Sequence, residues 1–262
     1  MESRNNDHIG REWIEKLSNA QPKGIWRNKY NAPSLNYKPI NRSSSIQLAT
    51  ALLTARSGRC DEALQQVDQL LRAIQTLEQT SPGFLHHMIV AVLKKKCYQA
   101  AEMIINQGHC SPAVCRSMQT TVASGLVPRE IFKRMFEGEK EFMRSVVEDG
   151  IWRDVKFQAD MKQAKWFELL LAHGAKWLVL NPNETNRQTT RIMDEIYRLA
   201  EARDTAAMES YNVIWNTASS LKNPAGRLIA NQIIPAYEKA TSSVWANEDL
   251  RQALLKKLAE AK

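Results

Sequence analysis

Glycine and proline are scarce in this 262-residue sequence, which contains ten and nine of them. Turn-rich β-sandwiches and barrels need many of both, and no alternating apolar series here is long enough to build a sheet. Long apolar runs are also missing, and the longest, residues 84–93, contains two histidines. A membrane-spanning helix needs roughly 20 apolar residues, so we expect none in this sequence. We also expect no signal peptide, because no apolar stretch follows the first basic residues.

Sequence signatures of common catalytic sites are missing as well. The patterns GxSxG, GxGxxG, HExxH and the P-loop do not occur. We therefore predict no catalytic residue and no cofactor. An enzyme of unknown class stays open as an alternative, with Glu137, Glu139 and His173 as the side chains that such an enzyme would use.

Metal-binding patterns are weak in this chain. The cysteines Cys60, Cys97, Cys110 and Cys115 include no Cys-x2-Cys pair of the kind that zinc sites favour, so we predict no metal site. Either Cys110 and Cys115 form a local disulfide in an oxidising compartment, or all four cysteines are buried thiols.

A second candidate for metal binding is the pair His86 and His87. Adjacent side chains on a helix point about 100° apart, so they do not readily share one metal ion. We expect one of the two histidines to be buried and the other to lie at a rim.

Signals for the ends of helices are the main positive feature. Three dipeptides stand before apolar runs at helical spacing: Ser81-Pro82, Ser111-Pro112 and Asn223-Pro224. Serine or asparagine at the N-cap accepts a hydrogen bond from the first turn, where proline loses no hydrogen bond. Gly58, Gly108 and Gly174 lie near the far ends of such runs, where a left-handed residue terminates a helix.

The sequence therefore predicts an all-α fold, a compact multi-helix domain of about nine to eleven helices. The expected helices cover residues 45–57, 61–79, 82–95, 98–107, 112–124, 126–149, 152–171, 185–203, 205–219, 224–234 and 243–261. Residues 1–45 are expected to form a basic, partly irregular leader with one short helix that carries Ile9, Trp13 and Leu17. Residues 46–262 are expected to form a single helical domain, with a subdivision near residue 150 as the alternative.

Residues 45–125 contain a repeated short pattern. Residues 58–64, Gly-Arg-Cys-Asp-Glu-Ala-Leu, resemble the turn inside a tetratricopeptide repeat, and residues 95–101 echo it 37 residues later. The expected period is 34 residues. A helical hairpin closed by small residues produces the same letters, so this region is interpreted as either hairpin-like or repeat-like.

Positive charge is concentrated near the start of the chain. Of a net charge of +8, residues 1–60 contribute +6, from ten basic and four acidic residues. A solvated basic surface explains this excess, and binding to an anionic partner is the alternative. The candidate partner- or anion-binding residues are Arg27, Lys29, Tyr30, Lys38 and Arg42.

Four short segments carry a resemblance to a known group. In chain order they are Phe-Glu-Gly-Glu at 136–139, Leu-Asn-Pro-Asn-Glu-Thr-Asn at 180–186, Asn-Pro-Ala-Gly-Arg at 223–227 and Ile-Ile-Pro-Ala-Tyr at 233–237. This order resembles uncharacterised proteobacterial single-pass proteins with a helical domain facing the periplasm, over roughly residues 45–240. The resemblance implies a location at the periplasmic face of the inner membrane and no catalytic residue. Since the membrane helix of that group is missing from this sequence, a cytoplasmic location is the alternative.

Taken together, these features predict a non-enzymatic helical protein-binding module, envelope-associated and of an immunity or accessory type. Its expected partner is another protein. The alternative is a nucleic-acid-binding protein that uses the basic N-terminal segment, in which Trp26, Tyr30 and Tyr37 supply rings for stacking on bases.

Overall fold

The computed structural model of this protein describes residues 12, 14–20, 37–80, 83–146, 182–208, 210 and 224–261, and for residues 182 and 224–236 it describes the backbone alone. The long regular elements within these ranges are all α-helices, which confirms the all-α fold class. In chain order they are α1 (Tyr37–Arg56), α2 (Cys60–Glu78), α3 (Phe84–Gln107), α4 (Pro112–Ala123), α5 (Pro128–Ser145), α6 (Pro182–Glu201) and α7 (Pro224–Glu260). The expected helix over residues 152–171 and the expected helix end at Gly174 lie outside the described residues.

Contacts along the chain define two compact units. The first unit comprises Met1–Trp26, Pro33–Ile131 and Ser243–Lys262, and the second comprises Arg27–Ala32 and Phe132–Ser242. The boundaries therefore fall inside α5 and α7. The expected single domain over residues 46–262 and the alternative division near residue 150 stay predictions.

The core of the first unit is built around α2, which packs against α1, α3 and α4, while α1 also packs against α3. Apolar residues recur on α2 at helical spacing and so form one continuous buried face. The fully buried members of this face include Leu64, Val67, Leu70, Leu71 and Ile74. Leu254 and Leu258 near the end of α7 complete the same core. Each such side chain contributes about 1.5–3 kcal/mol when it is removed from water.

The core of the second unit combines α5 and α6. The buried side chains of these two helices include Phe132, Met135, Phe136, Met143, Ile192, Met193, Ile196 and Leu199. The ring of Phe136 lies edge-on to Tyr197, with 6.0 Å between the centroids, and 5.1 Å from the ring of Tyr237. Aromatic pairs at these distances stabilise a core beyond the area that they bury.

Helix α1 begins at Tyr37, eight residues before the expected start at Ser45. Pro39 therefore lies in the first turn, where a missing N–H costs nothing because first-turn N–H groups have no partner in the helix. Residues 43–45, three consecutive serines, are helical, and Ser44 Oγ donates to the Ile40 carbonyl at 2.8 Å. The expected irregular leader is thus too long at its C-terminal end.

Helix α3 is one continuous helix, although two helices separated near residues 96–97 were expected. No glycine or proline interrupts residues 84–107, and lysine is a good helix former. Residues 95–101 consequently lie inside a helix and form no turn. The tetratricopeptide-like pattern occurs at a turn only once, at Gly58, so the described residues contain no repeat of it. Helix α7 is also continuous, although two helices over residues 224–234 and 243–261 were expected, and it passes through Pro235.

Gly58 and Gly108 both follow helices, but glycine is favoured at the two positions for different reasons. Gly58 has a φ of +83° and ends α1, as expected. Gly108 follows α3 with a φ of −165°, so it is extended and not left-handed. A Cβ at Gly108 would clash with Cys60 Sγ, so close packing against α2 favours glycine there.

The expected caps are only partly correct. Helix α4 does begin at Pro112 after Ser111, but the Ser111 side chain forms no capping hydrogen bond. Instead Asp61 in α2 accepts a hydrogen bond from the Ser111 N–H at 2.6 Å. Asp61 does not cap its own helix either, because α2 begins one residue earlier, at Cys60. The cap of α3 is Gly83, and Ser81-Pro82 lies outside the described residues.

Candidate functional site

The outward face of α3 carries apolar side chains that are unusually exposed. Leu85, Val92 and Met103 are 65%, 47% and 42% exposed. Their spacings of seven and eleven residues are close to whole numbers of helical turns, so the three side chains share one face over about 27 Å. We call these three residues the α3 stripe.

The face of α3 between Val92 and Met103 is polar. Lys95 is exposed there. Lys96 Nζ donates to Asn41 Oδ1 at 3.0 Å and to Ser45 Oγ at 3.4 Å, which ties this turn of α3 to α1. The outward face of α3 thus presents Leu85 and Val92 on one side of exposed Lys95 and Met103 on the other.

The inward face of α3 contains a buried ion pair. Lys94 Nζ lies 3.1 Å from Oε1 and from Oε2 of Glu78, at the end of α2. Because both charges are removed from water, the pair is held by mutual attraction in a medium of low polarity. It fixes the rotation of α3 about its axis and so aims the α3 stripe outward.

His86 is part of a hydrogen-bonded chain across three helices. His86 lies 2.8 Å through Nε2 from the Leu77 carbonyl, and a carbonyl only accepts, so Nε2 carries the proton. Nδ1 is therefore the acceptor of the Tyr37 hydroxyl at 2.6 Å. Burial lowers the pKa of His86 to about 4 and raises the pKa of Tyr37 to about 12, so both groups are neutral near pH 7.

His87 is buried beside His86. The two rings meet edge to face with 5.5 Å between their centroids, and only 3% of His86 and 2% of His87 are exposed. The expectation that one of them lies at a rim is wrong. Both rings are therefore part of the buried face of α3.

The C-terminal part of α7 supports α3 and α4 from another side. Asn247 donates to the Ala91 carbonyl at 3.0 Å, and Lys257 pairs with Glu102. Arg251 donates to the Val122 carbonyl at 3.4 Å at the end of α4. Hydrogen bonds and ion pairs fix the position of α7 against α3 and α4 more strictly than apolar contacts do, because they depend on direction.

Three of the four cysteines cluster where α2, α4 and the loop between α3 and α4 meet. The half-buried Cys110 thiol interacts with the thiols of Cys60 and Cys115. Burial is the main cause that raises the pKa of Cys110 to about 12, and the neighbouring thiols act in the same direction. All four cysteines are free thiols in this structure. The disulfide between Cys110 and Cys115 stays a prediction for oxidised protein.

The expected anion-binding residues are only partly described. Lys38 and Arg42 lie one turn apart on the exposed side of α1. Arg27, Lys29 and Tyr30 lie outside the described residues, as does His173. Among the residues that the structure describes, no group of three His, Cys, Asp or Glu side chains has the arrangement of a metal site.

Comparison of the chain with protein-family models, curated proteins and solved structures found no match. Across the described ranges, no helix combines the length and the apolar composition required to cross a bilayer. The resemblance to periplasm-facing proteins stays a prediction.

The α3 stripe is not evident from hydrophobicity alone, because Leu85 and Val92 lie within the longest apolar run of the sequence, residues 84–93. The signal was present in the helical spacing: Leu85 and Val92 lie seven residues apart, and the two histidines lie off that line. Hydrophobicity alone predicts the wrong inward face for this part of α3, since leucine is usually buried and histidine or lysine is usually exposed.

Proposed function

We propose that this protein is a non-enzymatic helical protein-binding module that docks its partner on the α3 stripe. The observation that supports this proposal is that α3 exposes Leu85, Val92 and Met103. The same helix buries the polar side chains of His86, His87 and Lys94 beside its apolar core residues. Polar groups are costly to bury, and exposed apolar groups gain free energy when a second surface removes them from water. A helix that buries polar groups and exposes apolar groups is consistent with an outward face that binds a partner.

The partner that we propose presents an amphipathic helix with a carboxylate near its midpoint. Such a helix would place apolar side chains over the two ends of the α3 stripe and the carboxylate over Lys95. A second copy of this chain fits less well. Antiparallel pairing of two stripes about their midpoint would bring the two Lys95 ammonium groups together, and like charges repel.

We also propose that the partner is located at the bacterial envelope, on the periplasmic side, as the sequence resemblance implies. Fractionation and protease accessibility of the full gene product in spheroplasts test this location. Digestion once the outer membrane is opened supports it. Protection until the cells are lysed indicates a cytoplasmic protein and contradicts it.

The docking proposal is tested by charge placed in the α3 stripe. Val92→Asp should weaken the complex about tenfold or more, because burying an unpaired carboxylate opposes association. Leu53→Asp is the control, since Leu53 is an exposed apolar residue of α1, at 64% against 47% for Val92, and lies outside the α3 stripe. Binding is measured by titration of the purified partner, first captured with a photo-cross-linker at position 92.

A charge exchange identifies the proposed contact. Lys95→Glu should weaken binding, and replacing the facing carboxylate of the partner by lysine should restore it. A complex that tolerates Val92→Asp, or that responds equally to Leu53→Asp, would place the interface elsewhere. Recovery of the chain alone under several cross-linking conditions would contradict the binding function itself.

A further inference from the structure

A cleft lined by arginine lies in the second unit, between α5 and α6. It has a volume of about 880 Å³, and its lining includes Arg144, Arg187, Arg191, Asp194, Glu195 and Arg198. Sequence analysis did not single out this region, because its charges are balanced when counted along the chain. The cleft is separate from the α3 stripe, which belongs to the first unit.

The arginines of α6 form a ladder along one side of the cleft. Arg187, Arg191 and Arg198 are four and seven residues apart, so they share a helix face and extend over about 16 Å. Arg144 reaches the cleft from the last turn of α5. A ladder of this length suits an extended anion more than a single small one.

Three acidic side chains near the cleft form ion pairs with basic side chains. Glu184 pairs with Arg187 at 2.9 Å, Glu195 pairs with Arg198 at 2.6 Å, and Asp194 pairs with Lys140 of α5. The hydrogen bonds from Arg187 and Arg198 lower the pKa of Glu184 and of Glu195, so both stay ionised near neutral pH. These pairs restrain two of the four guanidinium groups before any ligand arrives.

Two arginines retain their full binding capacity. Among the described residues, no carboxylate forms an ion pair with Arg144 or Arg191, and both side chains are exposed at the cleft. A guanidinium presents several N–H donors in a planar fork that matches the oxygens of a phosphate. The described lining contains no aromatic side chain on which a base could stack.

We propose that this cleft binds a short linear polyphosphate, a chain of phosphate groups, through Arg144 and Arg191 with the restrained arginines beside them. The ladder supplies donors at successive positions along the chain. The lack of aromatic groups in the described lining favours phosphate alone over a nucleic acid, in which stacking of bases contributes much of the affinity.

Calorimetric titration of the full chain with inorganic tripolyphosphate tests this assignment. The variant Arg144→Gln/Arg191→Gln should bind on the order of tenfold more weakly for each arginine removed. The control Arg56→Gln/Arg116→Gln removes the same charge from exposed arginines of the first unit and should bind as the natural chain does. Equal unfolding temperatures of the two double variants would show that folding is not the cause.

Three results would overturn the proposal. The first is no binding of tripolyphosphate by the natural chain, and the second is equal weakening in both double variants, which indicates diffuse charge. The third is a single-stranded oligonucleotide that binds the cleft more tightly than polyphosphate of the same number of phosphates. None of these results bears on docking at the α3 stripe, which the Val92 and Lys95 variants test by themselves.

Discussion

Lys94 and Glu78 form a buried ion pair whose two side chains are only 5% and 3% exposed. The ammonium group lies at equal distance, 3.1 Å, from the two carboxylate oxygens. The pair joins the end of α2 to the middle of α3, one residue before exposed Lys95. Its energetic role is therefore to orient α3.

Removing one partner of this pair should be far more damaging than removing both. Lys94→Met should lower the free energy of unfolding by about 3–5 kcal/mol, because it leaves the Glu78 carboxylate buried without its counter-charge. Adding Glu78→Leu should recover most of this loss. Chemical denaturation measures both values, with Lys95→Met as the exposed control that changes stability little. A double variant as unstable as Lys94→Met would show that the two charges are not coupled.

Stability should depend on pH through His86. Burial lowers the pKa of His86 to about 4, below its ordinary value of 6.5. Between these values the unfolded chain binds a proton that the folded chain does not. The contribution of His86 to the free energy of unfolding is therefore complete above pH 6.5. It is lost as the pH falls to 4, by about 3 kcal/mol in total.

His86→Gln provides the comparison for this prediction. Glutamine can still donate to the Leu77 carbonyl, but it does not titrate. Urea unfolding at pH 7 and pH 4.5 should show a smaller difference in the variant than in the natural chain. An unchanged difference would assign the pH dependence to other groups.

Close packing at Gly108 predicts a compensating pair of substitutions. Gly108→Ala should destabilise the protein by about 1–3 kcal/mol, because its Cβ would clash with Cys60 Sγ. In a Cys60→Ala background the same substitution should cost much less. Thermal unfolding of the four proteins of this cycle measures the coupling. Equal costs of Gly108→Ala in the two backgrounds would mean that another contact excludes the methyl group.

The cysteines should differ in their rates of alkylation. Cys110 is half-buried and should react first, but more slowly than a thiol in a short peptide, because burial raises its pKa to about 12 and little thiolate is present. Cys97 is fully buried with a pKa also raised to about 12, so it should react only on unfolding. Mass spectrometry of iodoacetamide-treated peptides over time gives the order. Early labelling of Cys97 in folded protein would contradict the packing of α3.

The sequence predicted well those helix ends that depend only on residues close together in the chain. The end of α1 at Gly58 and the start of α4 at Pro112 follow from backbone sterics of those residues alone. The breaks expected within α3 and α7 were wrong. Helix α3 continues through Lys96 and Cys97, and helix α7 continues through Pro235.

Helix propensity and apolar periodicity thus determined that this chain is all-α, because both depend on residues within a few positions of each other. Which face of a helix points inward was decided by the tertiary structure. His86 and Lys94 are inward because Tyr37, Leu77 and Glu78 arrive from other helices and satisfy them. Arg144 and Arg191 likewise meet at one cleft only after α5 and α6 pack. Such partners are distant in sequence, and a buried polar group is stable only where they converge.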